Sequence, residues 1–85
     1  MAGAPPVLKL LGRPGCHLCA EALLQLQPLA AELGFVVEEV DIERDEVLHH
    51  RYLERIPVGM LDGEELFEYF VDAGVVRRRL GRVGG

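Results

Sequence analysis

The sequence has no tryptophan, and its aromatic residues are two Tyr and three Phe, so leucine and valine must fill most of any core. Its two cysteines are too few for the disulfide scaffold on which very small secreted domains depend. The fold must therefore rest on its apolar residues, 49% of the chain, a share that argues against disorder. No apolar run reaches the roughly 18 residues needed to span a bilayer, so no membrane partner is expected. Residues 1–6 lack both the basic stretch and the hydrophobic core of a secretory signal. The resulting expectation is a reducing, cytoplasmic setting. There a Cys-x-x-Cys pair is catalytic or metal-binding rather than structural. Lysine is nearly absent as well: of nine basic residues only Lys9 is not arginine. The net charge of −5 argues against a nucleic-acid partner.

What is present is organised around Gly12-Arg13-Pro14-Gly15-Cys16-His17-Leu18-Cys19. Residues 7–11 before it read as a strand apolar enough to be covered on both faces. Residues 20–33 after it, rich in Ala, Leu, Glu and Gln, read as a helix. Strand, tight loop, Cys-x-x-Cys and helix form the context that a redox pair needs. A helix N-terminus carries unpaired N–H groups and roughly half a positive charge, which favour a thiolate at Cys16. Cys19 lies one turn further along the same face, where it can resolve a mixed disulfide formed at Cys16. His17 is either a nearby cation that assists the thiolate or an exposed residue of the first turn.

The rest of the chain reads as a single domain over residues 1–85. Pro28 should kink the first helix or start a second piece, and Gly34 should cap it. Residues 35–42 read as an acidic edge strand, parallel to the first through a right-handed crossover. Asp45 should cap a helix running to about Arg55, with Val47, Leu48 and Tyr52 facing inward. Residues 58–61 and 64–67 flank Asp62-Gly63, a hairpin signal. Asp72 should cap a last helix with Val75, Val76 and Leu80 inward and Arg77, Arg78 and Arg79 solvated. Residues 81–85 should fray. The expected order is β-α-β-α-β-β-α, an α/β (α+β) fold with a four-stranded mixed sheet flanked by helices. Charge is uneven along it. Residues 38–46 hold six acids against one arginine, while Arg77, Arg78, Arg79 and Arg82 cluster near the other end.

Cys16-His17-Leu18-Cys19 after the first strand, this element order, and Ile56-Pro57 before the hairpin make the chain similar to the glutaredoxin-like members of the thioredoxin-fold superfamily. The resemblance implies a thiol–disulfide oxidoreductase with Cys16 as nucleophile and Cys19 as resolving cysteine. It also implies a cis proline at Pro57, which would turn the Ile56 backbone N–H and C=O toward an extended substrate. Arg13 stands where many glutaredoxins carry a lysine that meets the glycyl carboxylate of glutathione. Those proteins place a Gly-Gly pair after the fourth strand for the γ-glutamyl end. Counting from Pro57, Phe67-Glu68 fall there, so glutathione should fit poorly.

Arg13, His17, Ile56 and Pro57 are thus the expected substrate-binding residues. No tightly bound cofactor or metal is expected, and glutathione is a possible reductant. Partners should be disulfide-containing proteins or small molecules and a reductase or glutathione, with the protein acting as a monomer. The alternatives are a zinc or iron–sulfur site on Cys16 and Cys19, which would need further ligands, or a redox-regulatory adaptor. A c-type haem site is excluded because Ala20 follows Cys19.

Overall fold

The sheet is built on β1 (Val7–Gly12), which lies between β2 (Val36–Asp41) and β3 (Val58–Leu61), with β4 (Glu64–Glu68) beyond β3. The computed structural model describes residues 3–81. β2 runs parallel to β1 and occupies an edge, whereas β3 and β4 run antiparallel. The β1–β2 crossover is α1 (His17–Leu33). A 3-10 turn (Ile42–Arg44) and α2 (Glu46–Tyr52) lead to β3, and α3 (Ala73–Leu80) closes the chain. The architecture is the mixed four-stranded sheet with three helices that the sequence pattern implies.

Alternation along β1 divides the interior in two. Leu8 and Leu10 pack with Ala22 and Leu26 of α1 and Val76 and Leu80 of α3. Leu11 points the other way, into a smaller cluster with Ile42, Tyr52, Ile56 and Val58. Each such side chain removed from water contributes about 1.5–3 kcal/mol. The second face is covered by the 3-10 turn, the seven-residue α2 and the Ile56 loop, a short cover that leaves Val7 and Lys9 exposed. Coverage of β1 on both faces is therefore complete at Leu11, beside the Cys-x-x-Cys loop, and incomplete at its start.

Serine, threonine and asparagine are absent from the chain, so its helix caps fall to other residues. Asp45 accepts the N–H groups of Val47 and Leu48, Asp72 accepts that of Val75, and Asp41 caps the 3-10 turn. At α1 the cap is Cys16. The turn between β3 and β4 has positive φ at both Asp62 (52°) and Gly63 (82°), as the Asp-Gly signal requires.

Several expectations are corrected. α1 starts at His17 and runs through Pro28 as one helix. Pro28 is exposed, while Leu26 and Leu29 on either side of it are buried, and that packing offsets the lost hydrogen bond. α2 ends at Tyr52, short of Arg55, because the Tyr52 carbonyl collects the N–H groups of both Arg55 and Ile56 in a tight turn. Val47 is 69% exposed rather than inward; Leu48 and Tyr52, four apart, already form the inward stripe. Phe35 lies just before β2 and is buried. The fraying expected of residues 82–85, with Arg82 of the arginine cluster, falls outside the described residues, as do residues 1 and 2 of the lead-in. Arg77 and Arg79 are exposed but engaged: Arg77 pairs with Glu32 of α1, and Arg79 with Glu64 at 2.6 Å.

Candidate active site

Cys16 has an extended backbone (φ −85°, ψ 113°), the conformation of an N-cap residue, and its side chain fills the cap position. The Cys19 N–H donates to Cys16 Sγ at 3.2 Å, and the Ala20 N–H donates to the Cys16 carbonyl at 3.1 Å. Gly15, with φ 78°, makes the preceding turn possible. The two sulfurs are bonded as a disulfide with the Cα atoms 5.2 Å apart. Both cysteines are half-buried and pack against the Leu11–Ile42–Tyr52–Ile56–Val58 cluster. Gly12 lies directly under Cys19: a Cβ there would stand 2.8 Å from its Sγ.

Ile56 thus shares an apolar cluster with both cysteines, and the Ile56–Pro57 bond is cis, as the resemblance implied. One part of the docking expectation is corrected. The Ile56 N–H is not open to a substrate, because it donates to the Tyr52 carbonyl at 3.1 Å. Pro57 is fully buried, and its carbonyl accepts the Tyr69 N–H at 2.8 Å. The Ile56 carbonyl accepts no backbone hydrogen bond of this loop among the described residues.

A cleft of about 360 Å³ opens beside the disulfide, between the N-terminal half of α1 and the end of β2. Arg13, Cys16, Cys19, Glu39 and Asp41 line it over an apolar floor that includes Leu10 and Leu23. Arg13 forms an ion pair with Glu43 at 3.7 Å. His17 is not part of the cleft: its side chain is 83% exposed and its Nε2 lies 2.7 Å from Glu21 Oε2. Among the described residues, no group of three or more His, Cys, Asp or Glu is placed to hold a metal, and no helix is long and apolar enough to cross a membrane. His49 and His50 lie in the last turn of α2, away from the cleft.

Residues 7–81 match the family model described as Glutaredoxin-like domain (DUF836). The chain belongs to this glutaredoxin-like family. A solved structure, the solution NMR structure of protein Ne2328 from Nitrosomonas europaea, is 34% identical. It superposes with a TM-score of 0.85 over 95% of this chain and 98% of its own. The Uncharacterized protein Rv0508 of Mycobacterium tuberculosis is 33% identical over 91% of this chain and 84% of its own length. The Glutaredoxin-like protein YDR286C homolog of Dictyostelium discoideum is 30% identical over 76% of this chain and 66% of its own. With its Cys16–Cys19 pair, this glutaredoxin-like chain is a redox protein of thioredoxin fold.

Phe67 and Glu68, the residues that counting from Pro57 matches to the Gly-Gly pair, lie at the end of β4. Phe67 and Glu68 do not form an exposed pair after β4. A register shift between Gly59 and Met60 turns Phe67 into the core, with its ring over Gly59 where a Cβ would overlap it. Glu68 accepts from Arg55 Nε at 3.0 Å and from Nη2 at 2.8 Å, and Glu65 is the second partner. These bonds, to Glu68 and then to Glu65, hold the Arg55 pKa above its ordinary value.

The pair that follows β4 is Tyr69-Phe70. Tyr69 has φ 70°, a region natural for glycine and uncommon for a bulky residue. Its hydroxyl donates to the Glu54 carbonyl at 2.5 Å, so Tyr69 holds the Ile56–Pro57 loop from both ends. Phe70, 70% exposed, lies with Leu18 and Glu21 of α1. Sequence reasoning missed Tyr69 and Arg55. Nothing local marks a tyrosine for positive φ, and Arg55 finds its carboxylates ten and thirteen residues away.

Proposed function

We propose that this protein is a thiol–disulfide oxidoreductase acting through Cys16 and Cys19. The observation that carries the reading is the sulfur of Cys16 at the α1 N-cap with the Cys19 N–H aimed at it. In the reduced protein that N–H and the helix dipole favour the Cys16 thiolate. The thiolate attacks one sulfur of a substrate disulfide; that S–S bond breaks, one thiolate leaves, and a mixed disulfide remains on Cys16. Cys19, deprotonated as it attacks, displaces the second thiolate and closes the Cys16–Cys19 bond. Two electrons have then passed to the substrate, and an external dithiol or reductase returns them.

Substrates are disulfides of proteins or small molecules, and the Ile56 carbonyl offers an extended protein substrate one backbone acceptor beside the thiols. The protein works as a monomer in a reducing, cytoplasmic setting. Glutathione is the less favoured reductant, since Arg13, the residue in place to meet its glycyl carboxylate, is already paired with Glu43. The test is a pair of turnover assays on a protein disulfide, one driven by glutathione and one by a dithiol or a thioredoxin-reductase system. Faster turnover with the second is expected, lost in Cys16→Ser. Equal activity of Cys16→Ser and the parent protein would end the reading.

A further inference from the structure

We infer that the cleft beside Cys16 selects disulfides bearing cationic groups, and that Glu39 and Asp41 set this preference; the inference deepens the oxidoreductase reading and rests on it. The lining charges of the cleft are Arg13, Glu39 and Asp41. Glu39 pairs across the sheet with Leu10, and Asp41 with Gly12, which puts both acids on the α1 side of the sheet next to the disulfide. Glu39 makes no ion pair and no side-chain hydrogen bond among the described residues. Asp41 has only a 3.8 Å contact with Arg44 and accepts the Glu43 N–H.

The cations around the site point to the same preference. Arg13 is paired with Glu43, and Arg55 with Glu65 and Glu68. A carboxylate-bearing substrate entering the cleft must displace Glu43 from Arg13 and then lie beside Glu39 and Asp41. An ammonium-bearing substrate meets Glu39 without displacing anything. The volume, about 360 Å³, suits one arm of a small disulfide or one basic side chain of a protein. Unit charges about 6 Å apart in water change an encounter by roughly threefold each, more where water is partly excluded and less as salt rises.

The test uses the pre-reduced full-length protein in stopped-flow single turnover with three disulfides of matched length: cystamine, bis(2-hydroxyethyl) disulfide and 3,3′-dithiodipropionate. In each case the Cys16 thiolate takes one sulfur, Cys19 releases the second arm as a thiol, and the protein ends as the Cys16–Cys19 disulfide. Each rate is divided by that of dithiothreitol with the same disulfide, which removes intrinsic leaving-group reactivity. The expected corrected preference for cystamine over the dicarboxylate is about tenfold or more at low salt. It should shrink about threefold in Glu39→Gln and further in Glu39→Gln with Asp41→Asn, and shrink likewise in 1 M salt. Asparagine keeps the cap of the 3-10 turn. A corrected preference below twofold, or one that survives both substitutions and salt, overturns the inference while leaving the oxidoreductase intact. Failure of all three disulfides to oxidise the Cys16–Cys19 pair overturns the underlying reading as well.

Discussion

At the start of α3 the Asp72 carboxylate accepts the Val75 N–H at 3.1 Å; at the start of α1 the Cys16 sulfur accepts the Cys19 N–H at 3.2 Å. Both residues have extended backbones, and both satisfy a donor three residues on. The difference is the atom. A carboxyl oxygen accepts the hydrogen bond whatever the redox state, so Asp72 is a permanent cap whose effect is stability. A sulfur bound in a disulfide is a poor acceptor, and a thiolate is a strong one. The end of α1 is therefore fully satisfied only when Cys16 is reduced and deprotonated. α1 also has no acid in its first turn, where α2 has Glu46, so no fixed negative charge competes with the thiolate for the helix end. On the proposed function, the same local geometry supports folding at one helix and reactivity at the other.

The largest expected effect comes from making the two ends alike. Cys16→Asp should lower disulfide turnover by at least a thousandfold, to the uncatalysed background. It should nonetheless be more stable than Cys16→Ala by about 1 kcal/mol, as a true oxygen cap replaces none. Urea unfolding of reduced samples beside turnover reads both; a Cys16→Asp protein no more stable than Cys16→Ala would mean that position 16 is not a working cap. Next is Gly12→Ala, which places a methyl group 2.8 Å from Cys19 Sγ in the present geometry. The overlap should destabilise by about 1–3 kcal/mol and slow resolution by Cys19 more than alkylation of Cys16. Wild-type stability and kinetics together would show that the contact relaxes freely.

Asp72→Ala should cost about 1 kcal/mol, a fall in Tm of roughly 4–8 °C for a chain of this size. Cys16 alkylation should stay within twofold of wild type. A larger change would mean that the two helix ends are coupled. The smallest effect concerns the surface pairs Arg77–Glu32 and Arg79–Glu64. Hydrogen bonds from the arginines, Arg77 to Glu32 and Arg79 to Glu64, hold both carboxyls below their ordinary value of 4.5. Their contribution is whole above that pH and fades as pH drops through the depressed values. Both carboxylates are exposed, so the Glu32→Gln protein should differ from wild type only by a slightly flatter acid limb in Tm between neutral pH and about pH 3. A large difference at neutral pH would contradict this.

The parts of the fold legible in the sequence were those written locally: β1 and β2 from apolar and β-branched runs, Asp45 and Asp72 as caps, and Asp62-Gly63 as a hairpin turn. The placement of Cys16 and Cys19 at the start of α1 was legible for the same reason, since four consecutive residues and their flanks carry it. What was not legible depends on packing between distant segments. The bulge in β4 opposite Gly59 and Met60, the positive φ of Tyr69 and the continuation of α1 through Pro28 are each settled by neighbours far along the chain. Counting from Pro57 along the chain does not show that the β3–β4 ladder is irregular between Gly59 and Met60.

The pH dependence of Cys16 alkylation in the reduced protein, followed at the Cys16 peptide by mass spectrometry, tests the sulfur cap most directly. The account predicts a rate that reaches half its plateau at least one pH unit below the ordinary cysteine value of about 8.5, with Cys19 reacting much more slowly at neutral pH. A half-plateau at or above 8.5, or equal reactivity of the two cysteines, would contradict it.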